Sequence, residues 1–72
     1  MSKEELEWYF QIKTDCWRLM KKYQNVEDND LYWTPLVQEA QKIYEKYQTE
    51  FAKKEILNVL NELDRIGRTN IV

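Results

Sequence analysis

The chain has 72 residues, of which 33% are charged, and a formal net charge of −2. This length limits it to a single domain, residues 1–72, and the near-neutral charge argues against a dedicated nucleic-acid binder and an acidic nucleic-acid mimic. With one cysteine and no histidine, it can form neither an internal disulfide nor a good zinc site. A chain this short buries only about 60% of its unfolded surface, and oligomerisation is the remaining usual way to add stability.

The composition predicts an all-α protein. One glycine and one proline leave little material for the turns of a sheet, whereas good helix formers are abundant. Charges interrupt every apolar run, so we expect neither a signal peptide nor a membrane-spanning segment. A single cysteine, which we expect to be buried, suits a reducing compartment, and we therefore expect a cytoplasmic protein.

The first predicted helix, residues 6–23, carries more apolar surface than one packing partner requires. Ser2 and Glu5 form a capping-box pattern at its start. Its apolar arc spans about 200°, whereas an ordinary surface helix shows a little over 100°. The arc divides into two flanks about the line of Tyr9 and Cys16: Trp8, Ile12, Leu19 and Tyr23 on one, Leu6, Phe10, Trp17 and Met20 on the other.

We expect one flank to meet the other two helices and the remaining flank to meet a second copy of the chain. Lys13 lies beside the second flank, where its charged end reaches water only near an edge or an interface rim. This consideration predicts a homodimer. The candidate interface residues are Phe10, Lys13, Trp17 and Met20.

The rest of the chain predicts a helical hairpin. A loop is predicted at residues 24–30, and the second helix could start at Asp30 or at a Thr34 cap. We favour an irregular turn at Asp30 and a regular helix from Pro35, because proline within a helix costs a hydrogen bond. Residues 48–50 form a tight break, with Thr49 capping the third helix. Gly67 is expected to end that helix, leaving residues 69–72 as a tail that packs on the bundle or frays. The predicted fold is a three-helix bundle, with helix one packed on the antiparallel hairpin of helices two and three.

The motifs that could carry chemistry favour structural interpretations. Asp28, Asp30 and Glu39 have the spacing of a calcium loop, but Tyr32 and Trp33 stand where a ligand and a glycine are required. We expect Cys16 to be a buried, inert core residue, since it lacks a histidine or a second cysteine. No carboxylate pair is marked as a general acid and base, so we predict no enzyme, no metal and no cofactor.

The third helix supports an alternative function. It is the most basic part of the chain, and a nucleic-acid-binding accessory protein could use these residues, although acidic side chains interrupt the field. A small-molecule binder with a cavity between subunits also stays open. The basic residues are Lys53, Lys54, Arg65 and Arg68.

Several segments resemble small uncharacterised proteins from bacteriophages and mobile elements of Gram-positive bacteria. This resemblance implies a phage-type accessory protein, for which a host protein is an additional partner, and it transfers no activity or binding residue. Together with the apolar arc, it predicts a non-enzymatic protein–protein interaction module that self-associates. The segments are Asp30-Leu-Tyr-Trp, Leu36-Val37-x-Glu39-Ala40, Lys46-Tyr47, Glu50-Phe51-Ala52-Lys53 and Leu60-Asn61-Glu62-Leu63.

Overall fold

The computed structural model describes residues 1–71, and it describes the side chains of residues 1–68. The described chain forms three helices and no strand: α1 (Lys3–Lys22), α2 (Asp30–Tyr47) and α3 (Glu50–Ile71). Each helix contacts the other two. The predicted all-α three-helix bundle is therefore confirmed.

Side-chain pairs fix the direction of α1 on the hairpin. Asp15 and Lys46 are joined at one end of the α1–α2 contact and Lys22 and Glu39 at the other, so these two helices run antiparallel. Along α3 the order of contacts follows that of α1, because Tyr9 meets Phe51 and Lys13 meets Glu55. Helices α1 and α3 are therefore parallel, and the hairpin is antiparallel.

The core is built from apolar side chains at helical spacing on all three helices. Ile12, Leu36 and Leu63 are fully buried, and each comes from a different helix. Tyr32, whose hydroxyl is hydrogen-bonded, is buried among the residues around them. The other buried side chains are Cys16, Leu19, Tyr32, Ala40, Tyr47, Ala52, Ile56 and Val59.

Two predicted N-caps are confirmed by their hydrogen bonds. The Glu5 backbone N–H donates to the Ser2 hydroxyl at 3.1 Å, and the Ala52 backbone N–H donates to the Thr49 hydroxyl at 3.2 Å. Each bond satisfies a backbone donor that the first helical turn leaves unpaired. The helices break at residues 23–29 and 48–49, within one residue of the predicted breaks at 24–30 and 48–50.

The predicted start of the second helix is wrong. Helix α2 begins at Asp30, capped by Asn29, whose side-chain oxygen accepts the Tyr32 N–H at 2.9 Å, and Pro35 lies inside the helix. The first turn is held because Tyr32 is buried and its hydroxyl donates to the Tyr23 carbonyl at 2.6 Å. These contacts outweigh the single hydrogen bond that Pro35 cannot make.

The predicted end of the third helix is also wrong. Helix α3 continues through Gly67 to Ile71, so residues 69–71 are helical; their side chains and Val72 lie outside the described residues, as does the prediction that the tail packs or frays. Gly67 is buried within the helix. A Cβ atom there would lie 2.8 Å from Cγ1 of Val26, so the glycine allows the α1–α2 loop to approach α3 closely.

We expect Gly67→Ala to destabilise the protein by about 0.5–2 kcal/mol, because overpacking against Val26 exceeds the gain of about 1 kcal/mol in helix preference. In a Val26→Ala background, where Cγ1 is absent, the same substitution should stabilise the protein. Urea unfolding of the two single variants and the double variant measures this coupling. Additive free energies of unfolding would show that the close approach imposes no constraint.

Candidate functional site

One face of α1 presents large apolar side chains to solvent. Leu6, Phe10 and Trp17 are 60%, 69% and 63% exposed. Their spacing of four and seven residues places them along one line of the helix. We call these three residues the α1 strip.

The opposite flank of α1 is covered by the hairpin, as predicted for one of the two flanks. Ile12 and Leu19 are buried there, and Trp8 and Tyr23 pack partly against the core. Trp8 makes an edge-to-face contact with Tyr47 at 5.9 Å between ring centroids. The bundle therefore covers only part of the apolar arc of α1.

Beside the α1 strip, Lys13 turns toward α3. Its Nζ atom lies 3.5 Å from Glu55 Oε1 and 5.6 Å from the centroid of the Phe51 ring. An apolar depression of about 420 Å³ remains around Leu6 and Phe10, with the Lys13 stem at its edge. The surface of α1 therefore offers both a projecting ring, Trp17, and a hollow.

The four candidate interface residues have different surroundings. Phe10 and Trp17 are exposed, Lys13 is exposed but paired with Glu55, and Met20 is half-buried against the core of its own chain. Leu6 is more exposed than Met20, and it forms the end of the strip. The sequence places Leu6 on the same flank as Met20 but gives no reason to choose Leu6 as the more exposed of the two. That choice depends on how α1 is rotated about its axis against the hairpin.

Cys16 is buried, with 3% of its surface exposed, as predicted. Burial, followed by the negative charges of Glu55 and Asp15, raises the pKa of the thiol to about 11. The thiolate, which is the nucleophilic form, is therefore scarce at neutral pH. This environment gives Cys16 the character of a core residue.

We expect a thiol reagent to modify Cys16 in the native protein far more slowly than in denaturant, by a factor of about 100 or more, because modification requires opening of the bundle. The release of a chromophoric leaving group measures both rates. Comparable rates in the two conditions would identify an accessible, reactive thiol.

Polar contacts brace α1 against α2. The Tyr47 hydroxyl donates to Asp15 Oδ2 at 2.5 Å, and Lys46 Nζ lies 3.2 Å from the same oxygen. Farther along the contact, Lys22 Nζ lies 2.7 Å from Glu39 Oε1. Between these pairs a groove of about 370 Å³ separates the two helices. Sequence reasoning missed this groove, since its charges come together only when the helices pair.

Contacts around the groove between α1 and α2 shift the pKa values of Tyr23 and Glu39. Hydrogen bonding to the Glu39 carboxylate, followed by burial, raises the pKa of Tyr23 to about 12. The hydrogen bond from Lys22 is the largest cause that lowers the pKa of Glu39. The Glu39 carboxylate is therefore held ionised at neutral pH through its Oε1 atom, whereas its Oε2 atom is buried without a hydrogen-bond partner among the described residues.

The basic residues of α3 do not form a single field. Arg65 pairs with Glu62, and Arg68 pairs with Asp64 at 3.0 Å, in both cases within the same helix. Lys53 lies at the rim of an apolar groove between α2 and α3, away from these two pairs. This arrangement gives little support to the nucleic-acid alternative on α3, because acids on the same helix offset two of its four cations.

A second apolar surface lies between α2 and α3. We call it the α2–α3 groove; Val37, Tyr44 and Leu57 line it and are 49%, 40% and 45% exposed. Its volume is about 340 Å³, and it is concave, in contrast to the α1 strip. Any interaction experiment must therefore distinguish the two surfaces.

Among the described residues, no group of three His, Cys, Asp or Glu side chains could hold a metal ion. Glu39, one of the three residues with calcium-loop spacing, is paired with Lys22. None of the helices in the described part of the chain has the length and apolarity that crossing a membrane requires.

The chain matches no protein-family model, and no curated protein or solved structure is significantly similar to it.

Proposed function

We propose that the protein is a non-enzymatic interaction module that associates with a second copy of itself through the α1 strip. The observation that carries this proposal is the exposure of Leu6, Phe10 and Trp17, each 60% or more, along one line of α1. Covering a large apolar side chain fully contributes about 1.5–3 kcal/mol. A chain of 72 residues has little stability to spare, so covering this strip is a substantial gain.

The shape of α1 suits a contact between two copies. A two-fold axis that places two α1 helices antiparallel, centred between Phe10 and Trp17, brings Trp17 of one copy opposite Phe10 of the other. The depression of about 420 Å³ beside Phe10 would then receive the partner's Trp17 ring, and the exchange is reciprocal. Such an isologous contact closes on itself and forms a dimer rather than a filament.

The charges beside the strip favour the antiparallel arrangement. Three residues follow one side of the strip at seven-residue intervals: Glu7 and Lys21, which are exposed, and Thr14, which is half-buried. Antiparallel packing about the same centre brings Glu7 of one copy toward Lys21 of the other. In parallel packing the same residue of the two copies would lie on opposite sides of the contact, so Glu7 and Lys21 would not meet.

The size of the strip predicts a weak dimer. An aromatic side chain buries about 150–250 Å² when it is fully covered. With about two thirds of each strip residue available, two copies would bury roughly 700 Å² in total, which is below the about 1,200 Å² of a standard interface. We therefore expect dissociation constants in the micromolar range or weaker.

The α2–α3 groove is a poorer surface for self-association. Two concave surfaces cannot fill one another across a two-fold axis. Insertion of the α1 strip of one copy into the groove of another would be a heterologous contact, which forms open chains unless it closes into a ring.

For the host partner implied by the resemblance to phage proteins, we propose the same α1 strip as the contact surface, in competition with the second copy.

Sedimentation equilibrium over micromolar to millimolar concentrations tests the proposal. We expect a reversible monomer–dimer equilibrium with no larger species. A monomer at every concentration would contradict self-association, and a continuing series of larger species would indicate the heterologous contact instead.

A further inference from the structure

We propose that the groove between α1 and α2 binds the phosphate group of a small phosphate ester through Arg18 and Lys42. This groove lies on a different side of α1 from the α1 strip, so the proposal is independent of self-association. It is carried by the arrangement of charges around a groove of about 370 Å³.

The groove is positive in a protein whose net charge is −2. Four cationic side chains line it, and only two carboxylates do. Each carboxylate pairs with one cation, Asp15 with Lys46 at 3.2 Å and Glu39 Oε1 with Lys22 at 2.7 Å, and the second Glu39 oxygen is buried without a hydrogen-bond partner among the side chains that the structure describes. The groove therefore has an excess of two positive charges.

The excess charge is concentrated at one level of the groove. Along α1, Arg18 lies between Asp15 and Lys22, three and four residues from them. Along α2, which runs in the opposite direction, Lys42 lies between the two residues that pair with Asp15 and Lys22. Arg18 and Lys42 are therefore at the same height, between two ion pairs that join α1 to α2.

Neither central cation has a carboxylate partner of its own. Within the part of the chain whose side chains are described, no carboxylate oxygen forms an ion pair with Arg18 or Lys42, and Lys42 acts on Glu39 only at longer range. Both side chains line the same groove, and an anion bound between them would offset their mutual repulsion. A dianion placed there would be attracted to both.

The chemistry of the pair favours phosphate. An arginine guanidinium donates two parallel hydrogen bonds to an oxyanion, and a lysine adds a compact charge. Buried Leu19 and half-buried Ile43 form an apolar floor beside them. This floor would accommodate the organic part of an ester, and the volume is at the lower end of the range for small-molecule sites, about 300–1,000 Å³.

A nucleic-acid strand fits this arrangement less well. A strand offers a row of phosphates, and it would require unpaired cations that continue along the surface. Here the cations on either side of the central pair, Lys22 and Lys46, are already offset by carboxylates. The excess of two positive charges in the groove matches the charge of a single dianionic group.

Titration by proton–nitrogen correlation spectra at constant ionic strength tests the proposal, with phenyl phosphate, inorganic phosphate and oligothymidylate as probes and sodium chloride as the balancing salt. For phenyl phosphate we expect saturable shifts confined to residues 15–22 and 39–46. Arg18→Gln and Lys42→Gln should each weaken binding about tenfold, by loss of one charge-assisted contact. Inorganic phosphate should bind at the same residues but more weakly, because it does not cover the apolar floor.

Lys54→Gln is the matched control, since it removes the charge of an exposed lysine on α3 and should leave binding unchanged. Non-saturable shifts, or shifts that Arg18→Gln and Lys42→Gln leave unaltered, would overturn the proposal. Tighter binding of oligothymidylate than of phenyl phosphate would also overturn it, because the groove would then serve nucleic acid.

Discussion

Replacing Trp17 by glutamate should weaken self-association at least about 100-fold, leaving a monomer at concentrations where the original protein is largely dimeric. Trp17 is 63% exposed in the single chain, so its replacement removes little from the core. A dimer contains two copies of the residue, and the loss of about 1.5–3 kcal/mol at each accounts for the effect. Sedimentation gives the association constant, and circular dichroism should show an unchanged helix content.

Leu57→Glu is the matched control for this experiment. Leu57 is 45% exposed and belongs to the α2–α3 groove, so the variant makes an apolar-to-glutamate change on the other apolar surface. We expect it to dimerise like the original protein. If Leu57→Glu dissociates the protein and Trp17→Glu does not, the α2–α3 groove is the interface and the assignment to α1 is wrong.

Replacing Leu36 by alanine should lower the free energy of unfolding by about 2–5 kcal/mol. Leu36 is fully buried in α2, and the cavity adds to the loss of apolar burial. A domain of this length has roughly 4–10 kcal/mol in total, so this variant should melt at least about 10 °C lower. Thermal unfolding at low protein concentration, where the monomer prevails, is the measurement.

Leu31→Ala provides the comparison within the same helix. Leu31 is 89% exposed, so the same chemical change should alter the free energy of unfolding by no more than about 0.5 kcal/mol. Equal effects of Leu31→Ala and Leu36→Ala would show that the core is not packed around Leu36 as described.

Much of the fold could be predicted because its signals are local. The Ser2 and Thr49 caps depend on residues three positions away, and the helical spacing of Ile12, Leu36 and Leu63 marks the faces that meet. The excess apolar width of α1 was also visible. It indicated that one flank would lack a partner within the chain.

The incorrect predictions involve contacts between distant parts of the chain. Gly67 has the local character of a helix end, but it lies inside α3, where the close approach of Val26, more than forty residues away in sequence, leaves no room for a Cβ atom. Pro35 has the local character of a helix start, but Asn29 and the buried Tyr32 extend the helix before it. In both cases tertiary packing outweighs a local preference of a few kcal/mol at most.

The two grooves could not be predicted from the sequence, because they also form only when distant parts of the chain pack together. Whether Arg18 meets an acid or another cation depends on the register of α1 against α2, and Asp15 and Lys46 set that register from opposite helices. The same holds for Lys13, which the sequence placed at an interface rim and which contacts Glu55 of α3. Pairing of helices, rather than composition, determines these surfaces.

The most direct test of the proposed contact is an isotope-filtered nuclear Overhauser experiment on a mixture of labelled and unlabelled protein at a concentration where the dimer prevails. We expect intermolecular contacts between the Trp17 indole of one copy and the Phe10 and Leu6 side chains of the other. Intermolecular contacts confined to Val37, Tyr44 or Leu57, or none at millimolar concentration, would contradict self-association through α1.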